Sequence, residues 1–171
     1  MKGSASQRMD AWVRHLLPFG LTLILVLLNA MPTRLPGFAS VAPMLPLIGI
    51  YYWAIHRPDL LSPILAFVIG VVCDILSGVP LGVTALSYLL VQGMSASQRK
   101  FFLGKPFLLT WWGFGLMAGA VTLLQWGLVS LIFTSMIDGH AAVFEWLLTV
   151  CLYPLLSWFF SRVQLTLLRS A

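Results

Sequence analysis

The chain has 171 residues, 60% hydrophobic and only 9% charged, with ten Lys and Arg against five Asp and Glu, and its mean hydropathy is +0.95. So few charges cannot clothe a soluble domain of this length, which leaves an all-α integral membrane protein that crosses the bilayer several times. The net charge of +5 reads as a topology signal and not as a nucleic-acid footprint, because most basic residues stand singly between apolar runs.

Met1 to Ala11 is polar and basic, like the first part of a signal peptide. No small-residue cleavage site follows the next apolar run, since Asn29-Ala30-Met31-Pro32 leads straight into a proline-rich turn. A retained first helix over 15–30 is therefore expected, with Trp12 and Arg14 at its inner end. Pro32, Pro36 and Gly37 mark the turn. The second run, 41–55, is short for a bilayer that takes about 20 residues. It ends in Tyr51, Tyr52 and Trp53, an aromatic cluster expected at headgroup level.

His56-Arg57-Pro58-Asp59 closes that run, and the third, 60–76, carries Asp74. After the turn Ser77-Gly78-Val79-Pro80, a short fourth run covers 81–94. Arg99, Lys100 and Lys105 form the most basic loop, and Pro106 suits a first helical position. The fifth run, 107–133, exceeds what a bilayer needs, so Trp111 and Trp112 are expected at the interface. Asp138, His140 and Glu145 belong to a polar loop and the start of the sixth run, 143–160. Arg162 and Arg169 end a single transmembrane domain over 1–171.

Six crossings place both termini on one side. With the N-terminus cytoplasmic, Lys2, Arg8, Arg14, Arg57, Arg99, Lys100, Lys105, Arg162 and Arg169 fall inside and only Arg34 outside, as the positive-inside rule asks. Two re-entrant short runs would give four crossings and move only Arg57, putting Asp74 at the cytoplasmic face. Six is preferred because both short runs are almost wholly apolar and local thinning absorbs the mismatch.

Asp74 is the only acid set well inside an apolar run. A carboxylate near hydrocarbon is costly and by default marks a functional or packing site. Gly70 and Ala66 precede it at helical spacing, so two small residues and the acid share one face, and such a stripe lets another helix approach closely. In the last turn of its own helix the carboxylate is poorly placed. The free N–H groups of the next helix, around Gly82 to Thr84, can accept it as an anion, with Gly78 as left-handed cap and Pro80 as stop. That structural role is favoured; a contact with a protein partner and proton or ligand binding stay open. A proton relay would need a second titratable group deep in the spans, and none is evident.

Gly115 and Gly119 form a GxxxG in the fifth run, a helix-packing face whose partner is more often internal. Asn29, Gln92 and Gln125 can line a polar cavity, although lone amides in membrane helices more often bond a neighbouring helix. Cys73 and Cys151 read as unpaired packing residues. His15, His56 and His140 lie at different segment ends, so no metal site, triad or cofactor motif is expected, and neither is enzyme activity.

The pattern Gly70-x-x-x-Asp74-Ile-Leu-Ser77-Gly78-x-Pro80-Leu81-Gly82-x-x-Ala85-Leu86, preceded by Tyr52-Trp53 and Arg57-Pro58, resembles the rod shape-determining MreD family. The motif occupies the middle third; elsewhere the likeness is in length, hydropathy and helix number. It implies a non-enzymatic scaffold of the bacterial inner membrane in the cell-elongation machinery, working with MreC, the actin-like MreB, and RodA with its transpeptidase partner. It also implies a fold similar to the substrate-binding components of energy-coupling-factor (ECF) transporters. Under that resemblance Asp74, Ser77, Gly78, Pro80, Leu81 and Gly82 form a rigid hairpin and exposed helix faces dock MreC; no family role carries over to 106–171, and Ala66, Gly70, Gly115 and Gly119 are helix-packing residues by their spacing alone. The basic loop Arg99 to Lys105 would meet anionic lipid or a cytoplasmic partner, and an ordinary positive-inside loop explains it equally well. The rival is a small-molecule-binding component of an ECF-type transporter, which would need a polar cavity and a partner ATPase.

Overall fold

The computed structural model describes residues 4–31, 42–133 and 139–168, with side chains described over 16–31, 42–133 and 139–166. Lys2, Arg34, Pro32, Pro36, Gly37, Asp138 and Arg169, and the side chains of Arg8, Trp12, Arg14 and His15, lie outside these. The described residues are all-helical: α1 Ser4–Ala30, α2 Leu45–His56, α3 Pro63–Ser77, α4 Val83–Ser97, α5 Arg99–Phe102, α6 Phe107–Phe133 and α7 Gly139–Leu168.

Local chemistry explains most of the ends. Ser62 caps α3 by accepting the Leu65 N–H at 3.4 Å, and Pro63 follows at the position where its missing donor costs nothing. Gly78, at φ 66°, ends α3 in the left-handed region. Two helices are longer than their apolar runs suggest: α1 begins at Ser4, and α7 runs from Gly139 through Pro154 to Leu168. The short α5 turns the basic stretch after α4 into a helical turn.

The centre of the bundle is α2. Every residue from Pro46 to Ile55 is buried, as befits a helix apolar on all sides, and α1, α4, α5 and α7 pack around it. Tyr51, Tyr52 and Trp53, the aromatic cluster at the end of the second run, are thus buried among the other helices. Tyr51 meets the edges of Phe114 and Tyr153 at centroid distances of 5.2 and 5.8 Å, and Trp53 lies 5.7 Å from Phe160. The polar tips of the two tyrosines are satisfied within the bundle, by the Thr110 carbonyl at 3.1 Å and Gln164 Oε1 at 3.1 Å.

Much of the exposed surface is apolar. On α3, Ala66, Gly70 and Asp74 are buried while Ile64, Phe67, Val68 and Ile75 point outward, so small and polar residues face the protein and bulky apolar ones the surroundings. Leu116, Leu123, Leu131 and Leu155 do the same on α6 and α7. Over Phe107–Phe133 and Gly139–Thr166 these two helices are long and apolar enough to cross a membrane, and Leu16–Ala30 and Pro63–Ser77 are shorter apolar helices.

Candidate functional site

The residues singled out between positions 66 and 82 come together in the α3–α4 hairpin. Gly82, the N-cap residue of α4, has a φ of 105° in the left-handed region and no side chain to cap the helix. The donors of the first turn therefore need an acceptor from elsewhere. Asp74 supplies it: Oδ2 accepts the Gly82 N–H at 2.8 Å and the Ala85 N–H at 3.4 Å, and Oδ1 accepts the Thr84 N–H at 3.0 Å. A carboxylate in the last turn of one helix thus acts as the N-cap of the next, at the positive end of its dipole. Asp74 has 0% exposure, so both oxygens are spent on backbone and no side faces a ligand arriving from solvent.

Close approach makes this reach possible. A Cβ on Gly70 would meet the Cα of Ala85 and lie 2.7 Å from the Ala85 nitrogen, so the two backbones touch where Gly70 stands. Ala66, one turn earlier, is also fully buried. Ser77, Gly78 and Leu81 are exposed around the bend and Pro80 is half-buried. Gly78 and Gly82 have open space where a Cβ would go, so their requirement is conformational, not steric.

Gly115 and Gly119 lie apart from this hairpin, on α6 facing α7. Their neighbour is Trp146, whose Nε1 donates to the Gly115 carbonyl at 2.9 Å and stands 3.4 Å from a Cβ built on Gly119. Trp111 makes the matching bond from α6, donating to the Val150 carbonyl at 3.0 Å. The face is thus internal, but an indole, not a backbone, fills it.

The three amides separate. Gln92 Nε2 donates to the Leu61 carbonyl at 3.0 Å, bracing α4 against the loop before α3. Asn29 and Gln125 instead line a partly open cavity of about 370 Å³, together with Ser77, Thr84, Tyr88 and Glu145. Glu145 lies further into its helix than the run 143–160 suggests. Because α7 begins at Gly139, the acid stands in its second turn and faces this cavity instead of a solvated loop edge. The available signal was the apolar stretch from Ala141 to Phe144, which carries the helix back past Glu145.

Elsewhere the polar groups are dispersed. His56 Nδ1 is 2.9 Å from the Tyr52 carbonyl and its ring stacks on Tyr52 at 4.1 Å, while His140 is exposed near the start of α7. No group of three or more His, Cys, Asp or Glu able to hold a metal ion occurs among the described residues. Lys100 and Lys105 are exposed, with the Lys105 ammonium 5.9 Å from the Phe101 ring centre. Cys73 Sγ lies 4.0 Å from the Tyr88 hydroxyl, and Cys151 is exposed on α7.

Compared with known proteins, residues 8–164 match the family model for rod shape-determining protein MreD. No curated protein and no solved structure matches the chain.

Proposed function

The chain belongs to the rod shape-determining MreD family, and on that premise we propose that it is a non-enzymatic scaffold of the bacterial inner membrane. In this reading it binds MreC and helps position the peptidoglycan synthases, RodA and its transpeptidase partner, with MreB on the cytoplasmic side. The family's role in rod shape determination is the premise; the partners and the scaffold mechanism are the proposal. The observation that carries it is the Asp74-capped hairpin, in which the most costly polar group is consumed in holding two helices together. A residue committed to backbone in this way builds a surface and performs no chemistry.

The protein is read as crossing the membrane six times with both termini in the cytoplasm, which puts the hairpin bend in the outer leaflet and α5 with Lys105 inside. The outward row of α3, Ile64, Phe67, Val68 and Ile75, is rigidly presented by the hairpin and offers a face for the MreC transmembrane helix. The test is affinity purification from native membranes in mild detergent, with photo-crosslinkers at Phe67 and Ile75. MreC and the synthases should co-elute, and MreC should crosslink through these positions. Absence of MreC from the eluate would overturn the scaffold reading.

One observation favours a second reading, a small-molecule-binding component of an ECF-type transporter: the polar cavity lined by Asn29, Gln125 and Glu145. Co-elution of an ATPase pair and a coupling membrane protein would establish it in place of the first.

A further inference from the structure

The same cavity does not end at its polar wall. Thr122, Trp126 and Ala142 also border a second, almost wholly apolar depression of about 380 Å³ between α6 and α7, lined by Gly119, Leu123, Val143 and Trp146. Trp146 in turn borders a third, of about 310 Å³, with Gly115, Leu116, Trp112 and Val150. Along α6 this succession runs from Trp126 back to Trp112, roughly 21 Å at 1.5 Å per residue. One leaflet of hydrocarbon is about 15 Å deep, so the groove is long enough to carry a chain through its own leaflet.

The head of this path has a definite chemistry. Among the described residues lining the cavity there is one carboxylate, Glu145, and no Lys or Arg. Asn29 Oδ1 has no hydrogen-bond partner among the described residues, and an ionised Glu145 carboxylate is an acceptor only, so this wall of the cavity favours a head group that carries donors. An anionic head would meet the carboxylate without a counter-charge. A quaternary ammonium would bring charge but no N–H. A primary ammonium brings both, with three donors in a compact head.

We propose that the cavity and the apolar depressions beside it form a lipid site selective for a phospholipid with a primary-ammonium head, phosphatidylethanolamine, whose ammonium meets Glu145 and one of whose acyl chains lies along α6 and α7. This goes beyond the scaffold reading and stands whether or not MreC binds. It gives Trp146 a purpose: the indole lines both apolar depressions and holds α7 off the glycine face of α6, so the chain passes beside it.

The test is native mass spectrometry of the full chain purified from native membranes in mild detergent, with bound lipids identified by fragmentation. The wild type should retain one phosphatidylethanolamine per chain. Glu145→Gln, nearly isosteric, should retain it about tenfold less, the loss expected for one charge-assisted contact. Val143→Trp, which fills the groove while leaving the carboxylate, should lose it as well. Circular dichroism and size-exclusion profiles check that both variants fold. Should either fail to fold, the decision passes to the wild type in nanodiscs containing lipids brominated on their acyl chains. Phosphatidylethanolamine should then quench tryptophan fluorescence more strongly than phosphatidylglycerol or phosphatidylcholine. Equal quenching by the three lipids, retention of an anionic lipid, undiminished retention by folded Glu145→Gln, or a water-soluble molecule in place of lipid would each overturn the proposal.

Discussion

Two helical hairpins in this protein carry small residues one turn apart, and they close in opposite ways. In α3–α4, Gly70 lets the backbone of Ala85 come into direct contact, and Asp74 is bonded across the gap to three N–H groups. In α6–α7, Gly115 and Gly119 face Trp146, and the helices are linked by indole-to-carbonyl bonds with a groove alongside. Small-xxx-small spacing permits close approach but does not impose it. What decides is the residue that arrives from the other helix, a methyl in one case and an indole in the other. The first hairpin is a closed unit suited to presenting a surface. The second is propped open and suited to receiving something between its helices.

The strongest way to break this comparison is at Gly70. A leucine there has no space, because even a Cβ collides with the Ala85 backbone and neither main chain can give way. Gly70→Leu should prevent α3 and α4 from pairing, and even Gly70→Ala should cost about 3 kcal/mol, the upper range for overpacking a tight core. Unfolding by SDS or heat in detergent, followed by tryptophan fluorescence, measures both. A Gly70→Ala protein as stable as the wild type would mean that the helices are not in backbone contact.

Next in size is the cap. Asp74→Ala strands the Gly82, Thr84 and Ala85 donors in a buried place and should cost about 2–3 kcal/mol. Asp74→Asn keeps one acceptor oxygen and turns an amide toward donors, so its loss should be smaller but still measurable in the same assay. If Asp74→Asn retained full stability and full capture of MreC, neither the capping role nor a docking role that depends on it would survive. The hairpin is also where the sequence was most legible. An acid inside an apolar run, two small residues at intervals of four before it and a glycine-proline turn after it leave few geometries. The cap adds only Ala85 to the donors expected there.

Legibility faded where one composition serves two environments. Tyr51, Tyr52 and Trp53 have the makeup of an exposed membrane-interface belt, yet their side chains are buried against the other helices. The pattern around them is apolar on every side, and that periodicity, not the aromatic content, was the better guide. Glu145 was obscured by an end effect. A charged residue at the edge of an apolar run looks like loop, while the helix begins about one turn before that run and carries it to the cavity wall. Helix α1 shows the same error at its start, since polar residues from Ser4 onward continue the helix without contributing to any apolar run.

On the open hairpin the effects should be smaller. Trp146→Phe keeps the ring but removes the donor to the Gly115 carbonyl, which should cost about 1 kcal/mol. It should also loosen α7 against α6, read as faster hydrogen exchange in the first turns of α7. An unchanged exchange rate would show that the indole packs but does not hold.

The finest contrast is Gly119→Ala, the counterpart of the change at Gly70. The added methyl would lie 3.4 Å from Trp146 Nε1, an ordinary contact with a side chain and not with backbone. Alanine is favoured over glycine inside a helix by about 1 kcal/mol, so Gly119→Ala should leave the protein as stable or up to about 1 kcal/mol more stable. The same single carbon, placed on the glycine of either hairpin, should therefore change stability with opposite sign. If both substitutions destabilised alike, the two hairpins would be closed by the same kind of contact, and the groove between α6 and α7 would not be the open path that a lipid chain requires.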